Sequence, residues 1–220
     1  MIGSPRVHHR LTDSTNERAR ELAALGAPHG TLVTADEQTA GRGRQGREWT
    51  APPRSAVLMS LVLRELEEAL PLAAAVAVCE ALPVATMVKW PNDVWIDGEK
   101  VAGILAEGRP GEGWAVLGIG LNVSSHPPDL PATSLRAHGE ERSVEDVLGA
   151  LVPELDRWLR APLADVLAAW RSRDALLGET VRWQDGSGTG AGIDESGALL
   201  VDTDAGRISL NAGEVHLLSS

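Results

Sequence analysis

The spacing of apolar and polar residues predicts an α+β fold. Apolar residues at helical spacing predict helices from Ser14 to about Leu25 and at 72–82, 144–159 and 163–176, with Gly178 closing the last. Ser14 and Glu17 have the spacing of a capping box. Short apolar runs favour strands at 7–11, 31–35, 56–63, 87–90, 94–96, 100–106 and 114–123, with a hairpin turn at Asp97-Gly98.

The pattern changes after Gly178. Five short strand-like segments, at 180–183, 190–193, 198–201, 207–210 and 214–217, are separated by Gly, Asp and Ser, which is typical of a small antiparallel β-barrel. The glycine-rich run from Gly186 to Gly190 imitates a dinucleotide fingerprint but leads into a strand, so we predict a loop there. The sequence therefore predicts two domains, 1–177 and 178–220.

Composition and charge exclude several classes of protein. The 220 residues are 43% hydrophobic and carry a net charge of −11, which argues against general nucleic-acid binding. The longest uncharged apolar stretch, 69–79, is too short to span a bilayer, and no secretory signal precedes it. The single cysteine, Cys79, excludes an internal disulfide, and we expect a cytoplasmic protein.

Lysine is rare in this chain. Lys89 and Lys100 are the two lysines among 20 basic residues, and the rest are arginine. Where a coding bias has favoured arginine, a remaining lysine indicates a position at which a compact ammonium is needed. Random survival of rare codons is the alternative.

Cations and glycines are concentrated between Gly41 and Arg47, which hold three of each. Glycine permits close approach of the backbone to a ligand, and arginine can bind carboxylate or phosphate oxygens with two hydrogen bonds. In an acidic protein this segment predicts a specific anionic ligand, with a solvated basic loop or an RNA contact as the alternatives.

Polar residues also mark three predicted strand ends. Lys89-Trp90-Pro91-Asn92-Asp93 follows one strand, and Lys100 opens the apolar run to Leu105. A lysine in a buried strand must meet an anion, which favours a ligand, whereas a lysine at the strand's mouth would merely cap the hairpin. Asn122 ends another strand and either contacts a nucleotide or closes a turn.

These motifs, together with Asp13-Ser14-Thr15-Asn16, Gln38 and Gly118-Ile119-Gly120-Leu121-Asn122, resemble in order and spacing those of the biotin protein ligases. The tail Ala212-Gly213-Glu214-Val215 resembles the end of that family's SH3-like domain. The resemblance implies a class II synthetase-like catalytic domain with a mixed sheet and helices, followed by a small SH3-like β-barrel. The resemblance is to the monofunctional type: since only twelve residues precede Asp13, we expect no N-terminal DNA-binding domain.

The resemblance implies an AMP-forming reaction in two steps. Biotin and ATP, with Mg²⁺, give biotinyl-5′-AMP, and the biotinyl group then passes to a lysine of the biotin carboxyl carrier domain of a carboxylase. No protein-held metal site, no DNA and no membrane are expected, and a homodimer is possible. A lipoate or octanoate ligase or transferase and a non-enzymatic biotin-binding regulator are the alternatives, and the Gly/Arg segment argues against the first.

The resemblance also implies roles for individual residues. Arg42, Lys100 and Asp93 are the implied catalytic residues, Asp93 by steering or deprotonating the carrier lysine. The implied biotin-binding residues are Ser14, Thr15, Asn16, Gln38, Arg42, Gly43, Arg44 and Lys100. The implied ATP or adenylate residues are Arg42, Arg44, Arg47, Trp49, Asn122, Lys89 and Asn92. The three arginines between Gly41 and Arg47 would repel one another without an anion. We therefore expect this segment to be mobile until a ligand binds.

Overall fold

A seven-stranded mixed sheet forms the centre of the larger part of the molecule. The computed structural model describes residues 2–64, 69–211 and 213–217. The strands are β1 (Arg6–His9), β2 (Leu32–Ala35), β3 (Ala56–Leu63), β4 (Met87–Lys89), β5 (Asp93–Ile96), β6 (Glu99–Arg109) and β7 (Trp114–Asn122). Their order is β1-β2-β3-β7-β6-β5-β4, with β1 and β2 parallel and the other neighbours antiparallel.

Helices cover both faces of this sheet. They are α1 (Thr15–Ala24), α2 (Leu70–Ala81), α3 (Val144–Trp158) and α4 (Leu163–Arg171). Ala19 and Ala23 of α1 pack on Val33, Val62 and Val116. The alternate residues of β3 and β7 point the other way, as strand geometry requires, into a larger core with α2, α3 and α4.

Two helix-end predictions are wrong. Ser14 is the N-cap residue of α1 but makes no side-chain cap hydrogen bond, and Glu17 pairs with Arg42 instead. A capping box does form at Ser143, the N-cap residue of α3. The predicted helix 163–176 ends at Arg171 because the following chain bonds elsewhere: the amide of Ala175 donates to the carbonyl of Val88 in β4.

A second, five-stranded antiparallel sheet follows. It contains β8 (Thr180–Trp183), β9 (Gly186–Ile193), β10 (Leu199–Thr203), β11 (Gly206–Leu210) and β12 (His216–Leu217), in the order β11-β10-β9-β8-β12. The loop predicted at 186–190 is wrong, since these residues begin β9. A Cβ atom on Gly190 would lie 2.0 Å from the carbonyl oxygen of Leu176, so glycine lets this strand pack closely. Ala212 of the predicted tail lies outside the described residues.

The observed architecture agrees with the predicted α+β class, a mixed sheet with helices followed by an antiparallel β unit. Within the described ranges, no helix combines the length and the apolar character that crossing a bilayer requires.

Candidate active site

The strand register places five predicted or neighbouring positions in one row across the sheet. Lys89 lies opposite Asp93, Asp93 opposite Gly103, Gly103 opposite Gly120, and Gly120 opposite Leu58. Directly opposed residues of antiparallel strands point to the same face. The row therefore has charged groups at one end and a floor without side chains in its middle.

A cavity of about 320 Å³ lies over this floor, and every residue that the sequence assigned to the site lines it. At the charged end of the row, Nζ of Lys100 lies 2.7 Å from Oδ1 of Asp93. Burial lowers the pKa of Lys89, and the neighbouring charge of Lys100 acts in the same direction, while Asp93 opposes the shift. The lysines thus compete for one carboxylate.

The indole of Trp49 lies on the glycine floor. A Cβ atom on Gly120 would come within 2.4 Å of the Trp49 ring, and one on Gly103 within 3.2 Å. Nζ of Lys100 lies 5.7 Å from the centroid of the same ring, within the range of a cation–π contact. Any side chain at position 120 would therefore displace Trp49 from beneath Lys100.

The segment from Gly41 to Trp49 is a closed hairpin. The amide of Trp49 donates to the carbonyl of Gly41 at 2.9 Å, and the amide of Gly43 donates to the carbonyl of Arg47 at 2.7 Å. At its tip Gly46 has a φ of 75°, which glycine adopts without strain. A Cβ atom on Gly41 would lie 2.3 Å from the carbonyl oxygen of Trp49, so this glycine serves hairpin closure.

The arginines of the hairpin have protein partners, so the expected repulsion between unpaired arginines is wrong. Arg42 lies 3.2 Å from Glu17 and 3.1 Å from Glu107. Arg47 forms an ion pair with Glu214 of the C-terminal unit. The mobility of the segment stays a prediction.

Arg44 differs from the other two arginines. Its guanidinium donates to Oδ1 of Asn92 at 3.0 Å and to the carbonyl of Gly213 at 3.4 Å, and both acceptors are neutral. Among the described residues no carboxylate pairs with it. Of the three arginines, Arg44 thus has the charge most available to an anionic ligand.

One wall of the cavity is set by the Gln38 side chain. The amide and the hydroxyl of Thr15 both donate to Oε1 of Gln38, at 2.7 and 3.0 Å. These bonds occupy the carbonyl end of Gln38, and its Nε2 has no acceptor in the described part of the chain. Gln38 can therefore donate to a ligand carbonyl. Ser14, 3% exposed, adjoins this wall.

Asn16 has both ends of its amide occupied by the protein. Its Nδ2 donates to Oε2 of Glu107 at 2.8 Å, and its Oδ1 accepts from the hydroxyl of Ser60 at 2.5 Å. A Cβ atom on Gly118 would lie 2.1 Å from this Oδ1. Sequence reasoning missed Ser60 and Glu107, although a glutamate in the long apolar run of β6 was a signal for the latter.

The other two asparagines assigned to the site hold backbone segments in place. Nδ2 of Asn92 donates to the carbonyl of Ile104 at 2.7 Å, which fixes the amide that Arg44 contacts. Nδ2 of Asn122 donates to the carbonyl of Thr133 at 2.9 Å, while its buried Oδ1 has no partner among the described residues. Thr133 in turn donates its amide to the carbonyl of Lys100 at 2.9 Å. Asn122 thus both steadies the Lys100 backbone and retains one free acceptor.

Two family models match the chain. The model of the biotin/lipoate A/B protein ligase family matches residues 8–124, and that of the biotin protein ligase C terminal domain matches residues 176–218. The first match contains the whole seven-stranded sheet except Arg6 and Val7 at the start of β1. The second contains all five strands of the antiparallel unit.

Individual relatives cover almost the entire chain. It is 35% identical over 244 residues to the bifunctional ligase/repressor BirA of Bacillus subtilis, covering 99% of this chain and 75% of that protein. It is 39% identical over 235 residues to the biotin–[acetyl-CoA-carboxylase] ligase of Paracoccus denitrificans, covering 93% and 97%. The biotin protein ligase from Aquifex aeolicus, solved with biotin and ATP, superposes with a TM-score of 0.86 at 30% identity, covering 99% and 100%.

Proposed function

The chain belongs to the biotin/lipoate A/B protein ligase family, and we propose that it activates biotin with ATP to biotinyl-5′-AMP and transfers the biotinyl group to a lysine of a carboxylase carrier domain. The observation that carries the proposal is the arrangement of Lys100, Arg44 and Asp93 around one cavity with a glycine floor. The two cations can bind the substrate carboxylate and the phosphates, and the carboxylate of Asp93 can bind an incoming amine.

In the first step a carboxylate must attack the α-phosphorus of ATP, and the two anions repel each other. Cations that neutralise both and hold them in line lower this barrier. Lys100 supplies a compact ammonium. Arg44 supplies a guanidinium whose partners among the described residues are all uncharged. We assign the binding of the two anions to these residues. Arg42 is proposed to anchor the Gly41–Trp49 hairpin through its two carboxylate partners.

Biotin is proposed to lie with its ureido ring against Gln38 and its hydrocarbon chain along the sheet. The free Nε2 of Gln38 suits the ureido carbonyl, and the apolar residues Leu58 and Leu105, which lie on the cavity face of the sheet, line the same cavity. Trp49 and the free Oδ1 of Asn122 are assigned to the nucleotide, with Lys89 and Arg47 close to the phosphates.

In the second step a neutral amine must attack the mixed anhydride. Asp93 is proposed to steer the carrier lysine and to accept its proton, because its carboxylate lies at the cavity wall beside Lys100. The nitrogen then bonds to the acyl carbon, the bond from that carbon to the phosphate oxygen breaks, and AMP leaves.

Magnesium is proposed to enter with ATP. Mg²⁺ takes oxygen ligands and is commonly bound by substrate phosphates with one or two carboxylates. Glu48 is a carboxylate on the cavity wall, with no other role assigned to it, that fits this requirement. Bound there, the ion would neutralise phosphate charge.

The proposed partner is the biotin carboxyl carrier domain, and the proposed compartment is the cytoplasm, in keeping with one free cysteine, Cys79. The similarity to a biotin–[acetyl-CoA-carboxylase] ligase supports this class of partner, and a homodimer remains a prediction.

The test is incubation of the pure protein with biotin, Mg-ATP and a biotin carboxyl carrier domain, followed by intact-mass spectrometry. One biotinyl adduct on a carrier lysine is expected, and a carrier with that lysine changed to arginine is the control. Pyrophosphate release is compared with biotin, lipoate and octanoate in parallel. Release that depends on lipoate and not on biotin would replace this proposal with the lipoate alternative, and biotin binding without any release would indicate a regulator.

A further inference from the structure

We propose that Glu107 is a positioning residue that joins the wall of the biotin pocket to the Gly41–Trp49 hairpin, an inference that rests on the function proposed above. One oxygen of its carboxylate, Oε2, accepts from Nδ2 of Asn16 at 2.8 Å. The other, Oε1, lies 3.1 Å from Nη2 of Arg42. A single side chain on β6 thus connects helix α1 with the hairpin.

From Asn16, polar contacts continue to the wall of the cavity that Gln38 forms. Oγ of Ser60, fully buried on β3, lies 2.5 Å from Oδ1 of Asn16 and 2.8 Å from Oγ1 of Thr15. Oγ1 of Thr15 lies 3.0 Å from Oε1 of Gln38. We call the connected set the polar relay; its members are Gln38, Thr15, Ser60, Asn16, Glu107 and Arg42.

The charge on Glu107 sets the direction of the hydrogen bonds in the relay. An ionised carboxylate accepts hydrogen bonds and cannot donate, so Asn16 must present its NH₂ group to Glu107. Its carbonyl oxygen then faces Ser60 and requires the hydroxyl proton. With its single proton directed to Asn16, Ser60 can only accept from the Thr15 hydroxyl, so the charge on Glu107 decides whether that hydroxyl turns to Ser60 or to Gln38, while the Thr15 amide keeps its bond to Gln38. A change at Glu107 thus reaches the biotin wall.

The two functions of Glu107 can be separated because Arg42 has a second carboxylate partner. Glu17 lies 3.2 Å from Arg42 and makes no described contact with Asn16. Loss of the Glu17 charge weakens its ties to the hairpin and to Arg20, which lies 3.3 Å from it, and leaves the orientation of Asn16 in place. Loss of the Glu107 side chain removes that tie and the orientation of Asn16 together.

The proposal gives Glu107 a specific consequence for the reaction. The biotin wall and the hairpin are connected, so loosening Glu107 weakens biotin binding and also lets biotinyl-adenylate escape. Glu107 touches neither the Lys100–Asp93 pair nor the glycine floor, so the chemical step itself is expected to change little.

The experiment compares Glu107→Ala, Glu107→Gln and Glu17→Gln with the wild type. Glu21→Gln is the matched control, because Glu21 is a carboxylate of α1 that pairs with Arg18 outside the relay. The measurements are KM for biotin, kcat for pyrophosphate release and the dissociation rate of preformed biotinyl-AMP.

Glu107→Ala is expected to raise KM for biotin and the dissociation rate by about tenfold each, the effect of losing a hydrogen bond to a charged group, with kcat within about threefold. Glu107→Gln retains an acceptor for Asn16 and is expected to raise mainly the dissociation rate. Glu17→Gln is expected to raise the dissociation rate by less than about threefold.

A reversal of hydrogen-bond polarity distinguishes positioning from a merely structural role. Asn16→Asp places a second carboxylate beside Glu107 and is expected to weaken biotin binding strongly. Adding Glu107→Gln supplies an amide donor to the introduced carboxylate, so the double variant is expected to bind biotin about tenfold more tightly than Asn16→Asp alone. Additive losses in the double variant would overturn the proposal.

Failure of this inference is distinguishable from failure of the proposed function. A wild-type protein that releases no pyrophosphate in the presence of biotin overturns the function. An active wild type with Glu107→Ala indistinguishable from Glu21→Gln in all three measurements overturns the role of Glu107 and leaves the function standing.

Discussion

Nζ of Lys100 and Oδ1 of Asp93 face each other at 2.7 Å, so the cation assigned to the substrate anions is already paired with a protein carboxylate. A bound biotin carboxylate or phosphate must compete with Asp93 for this ammonium. Once the substrate takes Lys100, Asp93 is released to face an incoming amine. With the roles proposed above, the pair would link the two half-reactions, and kinetics of the separate steps would distinguish the two residues.

Lys100→Arg is expected to lower the rate of biotinyl-adenylate formation by more than about tenfold, roughly 1.4 kcal/mol in the barrier. The guanidinium retains the charge but is too bulky and planar to replace an ammonium held between Asp93 and Trp49. Biotin-dependent pyrophosphate release measures the effect, with thermal unfolding as the check on folding. A rate near that of the wild type would remove Lys100 from the catalytic assignment.

Asp93→Asn is expected to slow transfer more than adenylate synthesis, because the amide can neither take a proton nor attract the carrier ammonium. Single-turnover transfer from preformed biotinyl-AMP isolates the second step. If transfer proceeds normally and activation alone is slow, Asp93 serves the first step instead.

Gly120→Ala is expected to reduce pyrophosphate release by about tenfold and to destabilise the fold by about 1–3 kcal/mol, since the new methyl group overlaps the Trp49 ring. Gly149→Ala in α3 is the matched control. Its methyl group meets open space, and replacing a helical glycine is expected to stabilise by about 0.5–1 kcal/mol with activity unchanged. Equal activity of the two variants would show that the glycine floor is not needed.

Biotin with Mg-ATP is expected to slow tryptic cleavage after Arg42, Arg44 and Arg47. Ligand anions add partners to a hairpin that is otherwise held by carboxylates and neutral acceptors, so its opening becomes rarer. Fragment masses identify the cleaved bonds, and cleavage elsewhere in the chain is the internal control. The same cleavage rate with and without ligand would exclude ligand-dependent ordering.

Asp174→Asn is expected to raise the free energy of unfolding near pH 7 and to have less effect near pH 3. Burial raises the pKa of Asp174 above its ordinary value, although a backbone hydrogen bond from Leu176 opposes the shift. The unfolded chain therefore ionises at lower pH than the native one, and native stability is lost as the pH rises through this interval. Urea unfolding at both pH values measures the difference, with exposed Asp204→Asn as the control. A loss of stability near pH 7 would mean that the native protein needs the ionised carboxylate.

Much of the fold was predictable because its signals are local. The apolar runs of β3 and β7 and the helical spacing of α3 each identify an element without knowledge of its neighbours. The glycine strand β9 was not predictable from propensity, since Gly190 is required by the close approach of the Leu176 carbonyl and Gly188 by that of the Asp202 carbonyl, contacts with residues outside the strand. The end of α4 was missed for the same reason, because β4 draws the following chain away.

In the site, too, local signals were predictable and contacts between distant residues were not. Unusual residue types identified the Gly41–Arg47 segment and the two lysines, whereas Ser14, Thr15, Asn16 and Gln38 were assigned through the family resemblance. The pairing of Gly103 with Gly120 depends on the register between β6 and β7, which the sequence does not specify. Ser60 and Glu107 acquire their importance through partners on other elements, and the division of labour among the arginines depends on those carboxylates.

The position of Trp49 has an optical consequence. The chain contains seven tryptophans and neither tyrosine nor phenylalanine, so indole is its sole source of near-ultraviolet fluorescence. Trp49 lies between the glycine floor and a lysine ammonium 5.7 Å from its ring centroid, and a nucleotide that enters the cavity changes the electric field across that indole. The emission spectrum of the unlabelled protein, compared with that of a Trp49→Leu variant, therefore reports occupancy of the site in real time.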